Sequence, residues 1–212
     1  YKSPLEFTKF LKGFKFSHLA PEAPSITEFS TNESMGQSAD KLASAFGVSR
    51  EDQDRFALRS HLNAHKAFED GHLKKELVSA SVPPRFNPVE RDNGVRGDST
   101  YEKLAKLRPA FIKPHGTITA GNASFLTDGA SATLIMSEEK ALALGLKPLA
   151  ELIDYVYVSQ DPGEELLLGP SYAAPKLLKK LGMKKEDISV WEFHEAFAGQ
   201  ILANLNALNS KA

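Results

Sequence analysis

The sequence predicts an α/β protein in which a mainly helical region precedes strands that alternate with helices. After residue 109, apolar segments that fit strands (130–136, 149–158 and 188–193) alternate with helical segments, which is typical of a layer with a largely parallel sheet. The first 100 residues lack that alternation. With 42% hydrophobic and 25% charged residues, the chain has enough apolar side chains for a packed core.

The first predicted helix is short, basic and amphipathic. Its apolar residues have the spacing i, i+3, i+4 and i+7, and lysines occupy the remaining surface. These residues are Phe7, Phe10, Leu11 and Phe14, with Lys9, Lys12 and Lys15 between them. Such a helix either docks on its own domain or faces a membrane surface or a partner protein.

Two further helices are predicted before residue 72. The first covers 36–46 and ends at Gly47, where a left-handed conformation suits glycine. The second covers about 50–70, with Ser49 as its N-cap and Gly71 at its end. Residues 73–82 are predicted to form a strand ended by two prolines, and 85–100 a loop.

In the second half, Ser137 caps a predicted helix that Gly145 ends. Another helix is predicted over 171–181. The strand 188–193 runs directly into a helix over Glu195–Leu208. The start at Tyr1 and the stop shortly after that helix indicate ends that are cut rather than natural.

Composition excludes several function classes. Without cysteine, the chain has no disulfide, no thiolate metal ligand and no cysteine nucleophile. A net charge of -1 gives no general attraction to nucleic acid. His61 and His65 have i, i+4 spacing, but the glutamate of a zinc-protease motif is missing, so a solvated helix face is favoured and no metal site is expected.

The strand-to-helix turn at Glu192–Phe197 is the first candidate site. His194 follows a predicted parallel strand and precedes a helix, where α/β proteins place active sites. It could donate a hydrogen bond to a carbonyl oxygen or hold a water molecule. Alternatively, His194 and Glu195 only cap the helix, and spacing alone favours that interpretation.

The second candidate is the segment Thr117–Ser124, whose small residues allow a ligand to approach the backbone closely. A turn in solvent is at least as compatible with this composition. Arg96 lies in a polar loop and could bind phosphate or stack on a purine, although most loop arginines are solvated.

Several motifs, in order along nearly the whole chain, resemble those of the thiolase family, and together they identify the chain as a member of it. They are Met35–Asp40, Val48–Asp54, Leu104–Phe111, Gly116–Ser124 with Thr127–Ala130, and His194–Ala198. The last is the thiolase Asn-Glu-Ala-Phe motif with histidine in first place. That histidine, with Tyr157–Pro162, Leu167–Pro170 and Leu19–Glu22, is similar to long-chain thiolases of the mitochondrial trifunctional-protein β-subunit type. The bacterial long-chain counterpart remains an alternative.

The resemblance implies a partial thiolase fold, with a mainly helical loop domain and incomplete mixed sheet layers of the two core halves. Residues 1–108 would form the loop domain, 109–147 the end of the N-terminal half and 148–212 the start of the C-terminal half. His194 would polarise the thioester oxygen. The residues implied to bind substrate or CoA are Met35, Arg96, Phe111, Ser124, Ala196 and Phe197.

The resemblance also implies a role in fatty-acid β-oxidation: cleavage of 3-ketoacyl-CoA by CoA, which is a substrate, with no metal or other cofactor. The parent enzyme would be a homodimer bound to a hydratase/dehydrogenase α-subunit, on the matrix side of the inner mitochondrial membrane, with residues 5–16 contacting that membrane. The bacterial cytoplasm is the alternative location.

The family's nucleophilic cysteine and its Gly-His-Pro histidine are expected outside this stretch, so this polypeptide alone is expected to be inactive. One alternative is a module that binds CoA, a membrane or a subunit without chemistry. Another is a biosynthetic acetoacetyl-CoA thiolase, against which His194 and the long insertion argue.

Overall fold

The computed structural model describes residues 14, 15, 19 and 26–210. The helices of this part are α1 (Met35–Ala45), α2 (Arg50–Glu69), α3 (Tyr101–Ala105), α4 (Glu138–Ala143), α5 (Gly169–Leu181) and α6 (Ala198–Leu208). Two short strands, β1 (Ala80–Val82) and β2 (Asn87–Val89), and 3-10 turns at Leu73–Lys75 and Lys185–Asp187 complete it. The predicted basic amphipathic helix lies outside the described residues, apart from Phe14 and Lys15.

Helices α1, α2 and α5 confirm the predicted ones within two residues at each end. The Ser34 side chain accepts a hydrogen bond from the Gln37 backbone, and the Gln37 side chain returns one to the Ser34 backbone, which forms a capping box. Gly47 ends this helix segment at a φ of 63°, a conformation that costs glycine little. Local capping signals therefore predict these bounds well.

Two helices differ from the prediction. The final helix begins at Ala198 rather than at Glu195, because Phe197 has extended backbone and bridges to Ala123. Helix α3 was not predicted as a helix, although Thr100 caps it through a hydrogen bond from the Lys103 backbone. Thr100 is a residue type that favours the N-cap position, but the five residues of this helix are too few to show helical periodicity.

The helices assemble around α6, which packs against α1, α2 and α5, while α3 packs on α2. One apolar cluster joins the end of α1 to α6 and the residues before α5: Leu42, Ala43, Val48, Leu168 and Ala203. A second cluster, Ala39, Ile118 and Phe197, joins α1 to the 117–124 segment and the start of α6. The core therefore unites residues far apart in sequence.

Buried polar side chains fix the 117–124 segment to α1 and α2. The Asp40 carboxylate accepts hydrogen bonds from the backbone N–H of Thr117 at 2.6 Å and of Ile118 at 2.9 Å. The Gln53 amide nitrogen donates to the Thr117 hydroxyl at 2.9 Å. Since Asp40 and Gln53 are both buried, these bonds hold the segment in one place.

The predicted strands at 130–136, 149–158 and 188–193 do not form. Across residues 26–210 the one sheet is the antiparallel β1–β2 hairpin, in which Ala80 pairs with Val89. A strand needs a neighbour for its backbone hydrogen bonds, and in the described region these segments have none, so Leu134 is 79% exposed. The predicted strand 73–82 is likewise wrong except for its last three residues, and the predicted loop 85–100 contains β2.

The 149–158 segment is tied to α5 by side chains instead of by a ladder. Lys180 forms an ion pair with Asp154 at 2.7 Å, and Lys176 donates to the Tyr157 carbonyl at 3.3 Å. None of the described helices is both long and apolar enough to cross a bilayer.

Candidate functional site

The 117–124 segment lies edge to edge with the turn that opens α6. The Ser124 N–H donates to the Ala196 carbonyl at 2.8 Å, and the Ala198 N–H donates to the Asn122 carbonyl at 2.9 Å. Ala123 and Phe197 form an antiparallel bridge between these contacts. The two segments singled out from the sequence as candidate sites are therefore parts of one structure.

Beside this bridge is a cavity of about 320 Å³. It lies between α2, the loop before Arg96 and the residues that follow Ser124. Its lining residues are Ser60, His61, Ala64, Asp92, Asn93, Gly94, Val95, Phe125 and Thr127. A Cβ atom on Gly94 would lie inside the Phe125 ring, so the absence of a side chain there lets the ring pack against the loop backbone.

Arg96 directly follows Val95, which lines this cavity. Its backbone N–H donates to Nδ1 of His61 at 3.3 Å, and its side chain is exposed. Burial lowers the pKa of His61, and the positive charge of Arg96 lowers it further. The neutral imidazole is therefore the favoured form of His61 at neutral pH.

The turn that carries His194 is joined to the same helix. Glu195 accepts a hydrogen bond from the Ser60 hydroxyl at 2.5 Å. His194 itself is exposed, and its carbonyl accepts from the Ala196 N–H at 2.9 Å. The imidazole of His194 is therefore open to a ligand, next to a turn that Ser60 fixes on α2.

The remaining predicted site residues, Met35, Phe111 and Phe197, form an apolar group beside α1 and the start of α6. The rings of Phe111 and Phe197 meet edge to face with centroids 6.1 Å apart. A Cβ on Gly36 would lie 2.3 Å from the Phe111 ring, so this ring rests directly on the α1 backbone. Met35 packs against the cluster that includes Phe197.

None of the predicted site residues lines this cavity, but Arg96 and Ser124 each follow or precede a lining residue, Val95 and Phe125. Ser124 is bonded to Ala196, and Phe197 connects this turn to Phe111. Sequence reasoning did not identify Ser60 and Phe125 as site residues, and it treated His61 as part of a solvated helix face. Ser60 and His61 are ordinary polar residues of a mostly polar helix, so nothing in their spacing distinguished them. A larger cavity of about 430 Å³, lined by Arg55, Phe56 and Leu202 among others, likewise has no predicted site residue in its lining.

Two models of known protein families match this chain. A family model described as the N-terminal domain of thiolase matches residues 9–139, and one described as the C-terminal domain of thiolase matches residues 146–212. The chain belongs to the thiolase family. The motif-based identification is therefore confirmed.

Known relatives of this thiolase chain include the β subunit of the mitochondrial trifunctional enzyme of Rattus norvegicus, 59% identical over 94% of the chain and 42% of that protein. A 3-ketoacyl-CoA thiolase of Shewanella sediminis is 49% identical over 91% of the chain and 44% of its own length. The thiolase chain thus spans less than half of these relatives.

Among solved structures, the human mitochondrial 3-ketoacyl-CoA thiolase has a TM-score of 0.82 at 35% identity, over 88% of this chain and 47% of that one. This match confirms the predicted fold class, a partial α/β thiolase fold. The three domain boundaries and the roles of individual site residues in this thiolase chain stay predictions.

Proposed function

We propose that this chain forms the CoA-binding and carbonyl-polarising part of a 3-ketoacyl-CoA thiolase of fatty-acid β-oxidation. The whole enzyme would transfer the acyl group of a 3-ketoacyl-CoA to CoA and release acetyl-CoA. The observation that supports the proposal is that Arg96 and Ser124 each adjoin a residue that lines one cavity. The His194 turn is hydrogen-bonded both to Ser124 and to Ser60, which lines the same cavity. These residues come from three separate stretches of the chain, and a common ligand explains their meeting.

Each group has chemistry that matches a part of an acyl-CoA. The exposed guanidinium of Arg96 suits the phosphates or the adenine ring of CoA. The exposed Ser124 hydroxyl suits the amides of the pantetheine chain, which need hydrogen bonds without bulk. Phe111 would flank the nucleotide, while Met35, Ala196 and Phe197 would line the path of the pantetheine and acyl groups.

His194 would donate a hydrogen bond to the thioester oxygen, directly or through water. Negative charge develops on that oxygen when a nucleophile attacks the carbonyl, so a fixed donor stabilises the transition state. The attack itself needs a thiolate that leaves a thioester, and this chain contains no cysteine. The chain by itself is therefore expected to bind CoA but not to catalyse thiolysis.

A second function fits the same absence of cysteine: a module that binds CoA, a membrane or another subunit without catalysis. The two proposals differ in what complements the chain. If a polypeptide that carries the missing thiolate restores thiolysis, the enzyme proposal holds; if none does, the binding module is favoured.

The partners and location follow from the relatives and are proposed in the same sense. They are CoA and acyl-CoA, a second copy in the parent enzyme, a hydratase/dehydrogenase α-subunit, and the matrix face of the inner mitochondrial membrane through residues 5–16. CoA is a substrate here rather than a resident cofactor. A bacterial cytoplasmic enzyme is the alternative.

Binding is tested by titrating the 212-residue chain with CoA and following the fluorescence of Trp191, its one tryptophan, which stacks on Phe193 beside the His194 turn. Saturable quenching is expected. Arg96→Ala should weaken CoA binding about 10- to 100-fold, because a charged hydrogen bond is lost. The matched control Arg85→Ala removes the same charge from the exposed hairpin turn and should leave affinity unchanged.

Absence of any response at millimolar CoA, or equal losses in the two arginine variants, would contradict the proposed site. Turnover is tested separately by incubating the chain with a 3-ketoacyl-CoA and CoA. Acetyl-CoA should not accumulate; its formation would show that thiolysis here needs no cysteine.

A further inference from the structure

Two histidines of α2 hold two consecutive residues of the loop that carries Arg96. His61 and His65 lie one helical turn apart, so their side chains share one face of the helix. Nδ1 of His61 accepts the backbone N–H of Arg96, and the ring of His65 lies against the backbone of Gly97. This arrangement explains a histidine pair that has no role in the family-based site.

The His61 contact requires one protonation state. A ring nitrogen accepts a hydrogen bond only when it carries no proton. The His61 ring must therefore be the neutral tautomer with Nδ1 unprotonated and Nε2 protonated. Burial and the Arg96 charge both lower the pKa of His61, which favours that neutral form. Protonation at Nδ1 would replace the acceptor with a donor that points at the Arg96 N–H.

The His65 contact requires a residue without a side chain. A Cβ atom on Gly97 would lie 2.4 Å from Cγ of His65, which is far inside van der Waals contact. Cγ is fixed close to the helix backbone, so the ring cannot simply swing aside. The loop backbone therefore lies flat on α2 at the residue after Arg96.

We propose that His61 is a positioning residue for CoA binding: it fixes the backbone of Arg96 so that the guanidinium stands at the cavity, and it releases the loop when it becomes protonated. The inference rests on the proposed CoA site and adds a pH dependence to it. CoA affinity should be constant above about pH 6.5, the ordinary pKa of histidine. It should fall as the pH drops through the lowered pKa of His61.

Other charged groups near His61 bear on that dependence. The loop contributes Arg96 and Asp92, α2 contributes His65, and the His194 turn contributes Glu195 through Ser60. Burial and the Arg96 charge both oppose protonation of His61. The CoA phosphates also gain protons near pH 6, so the effect of His61 must be read against a variant that cannot titrate.

The experiment measures CoA affinity of the full chain from pH 8 to pH 5 for the wild type, His61→Asn, His61→Ala and the control His72→Asn. The Asn side-chain oxygen lies near the position of Nδ1 and accepts a hydrogen bond without titrating. At pH 8, His61→Asn should bind within about twofold of wild type and His61→Ala about three- to tenfold more weakly. At pH 5 the CoA affinity of the wild type should fall to about that of His61→Ala. The affinity of His61→Asn should remain higher than both. His72→Asn, at an exposed histidine just beyond α2, should follow the wild type throughout.

An NMR titration of the Arg96 amide reports on its hydrogen bond to His61 in the absence of CoA. Its shift should follow His61 in the wild type and stay constant in His61→Asn. If the wild type binds no CoA at pH 8, the proposed function fails and this inference fails with it. If the wild type binds CoA but His61→Ala matches it, or if affinity rises in acid relative to His61→Asn, only the positioning role is overturned.

Discussion

The carboxylate of Asp54 accepts a hydrogen bond from the side-chain amide of Asn122, 68 residues further along the chain, at 3.0 Å. The other carboxylate oxygen pairs with Nε of Arg50 at 2.8 Å, and Asp54 is only 1% exposed. Asn122 in turn accepts from the Thr119 N–H and lies two residues before Ser124. A buried charge on α2 therefore orients the segment that leads to the proposed pantetheine site.

Replacing Asp54 with alanine should lower the free energy of unfolding by about 3 kcal/mol, because the partner groups of a buried ion pair lose their compensation. Urea unfolding measures this. Asp70→Ala, at the exposed end of α2, should change stability by less than about 0.5 kcal/mol. In a double-mutant cycle, Asp54→Ala and Asn122→Ala should show a coupling of at least about 0.5 kcal/mol. Additive effects would show that the two side chains do not act together.

Gly36→Ala should displace the Phe111 ring, since the new methyl group would lie 2.3 Å from it. The ring then loses its edge contact with Phe197, and the variant should lose about 1–3 kcal/mol of stability together with CoA affinity. Gly129→Ala is the matched control, because a Cβ there meets nothing within 4 Å. Calorimetry measures the stability of both variants, and titration measures their CoA affinity. Equal stability and equal affinity in the two variants would contradict the close packing of Phe111 on α1.

Asn204 on α6 joins three parts of the core. Its amide donates to the carbonyls of Leu167 and Gln200 at 2.9 Å each, and its oxygen accepts from the Ser171 hydroxyl at 2.8 Å. Asn204→Ala removes the side-chain hydrogen bonds that join α6 to Leu167 and Ser171, which should cost about 2 kcal/mol or more. Asn209→Ala, at the exposed end of α6, should cost less than about 1 kcal/mol. Guanidinium unfolding of the pair provides the measurement, and similar midpoints would argue against this network.

The pKa of Asp154 should report whether segment 149–158 is tied to α5. Lys180 lowers this pKa through a hydrogen bond, and the Tyr155 backbone lowers it further. The pair therefore adds stability at pH values above the ordinary pKa, which is lost as the pH falls through the lowered one. In Lys180→Met the pKa of Asp154 should move up toward the ordinary value, while the neighbouring Lys179→Met should leave it unchanged. Carboxyl NMR titration distinguishes these outcomes.

The parts of the fold predicted correctly from sequence are those set by local chemistry. Ser49 caps a helix, and Gly47 and Gly71 lie at helix ends in left-handed conformations. These signals act within a few residues and need no tertiary partner. The strands were predicted wrongly for the converse reason: the apolar pattern around Leu134 is compatible with a strand, but the described residues supply no neighbour to pair with it.

In the candidate site, too, some residues could be predicted from local motifs, while others depend on tertiary contacts. Family motifs led to Arg96, Ser124 and His194, whose roles stay predictions, and the structure bonds Ser124 to the turn that follows His194. The residues that hold them in place, Ser60 and His61, lie in a polar helix where a serine or a histidine carries no signal of its own. Their role depends on contacts with Glu195 and Arg96, at sequence separations of 135 and 35 residues, which no local pattern encodes.

The packing of α6 between α1, α2 and α5 has a consequence for biosynthesis. A ribosome releases α1 and α2 long before it reaches residue 208, and until then their apolar faces have no cover. A nascent chain of this kind folds late and slowly, since its decisive contacts join distant positions. We expect chaperones that bind exposed apolar segments to engage it during translation, before α6 emerges.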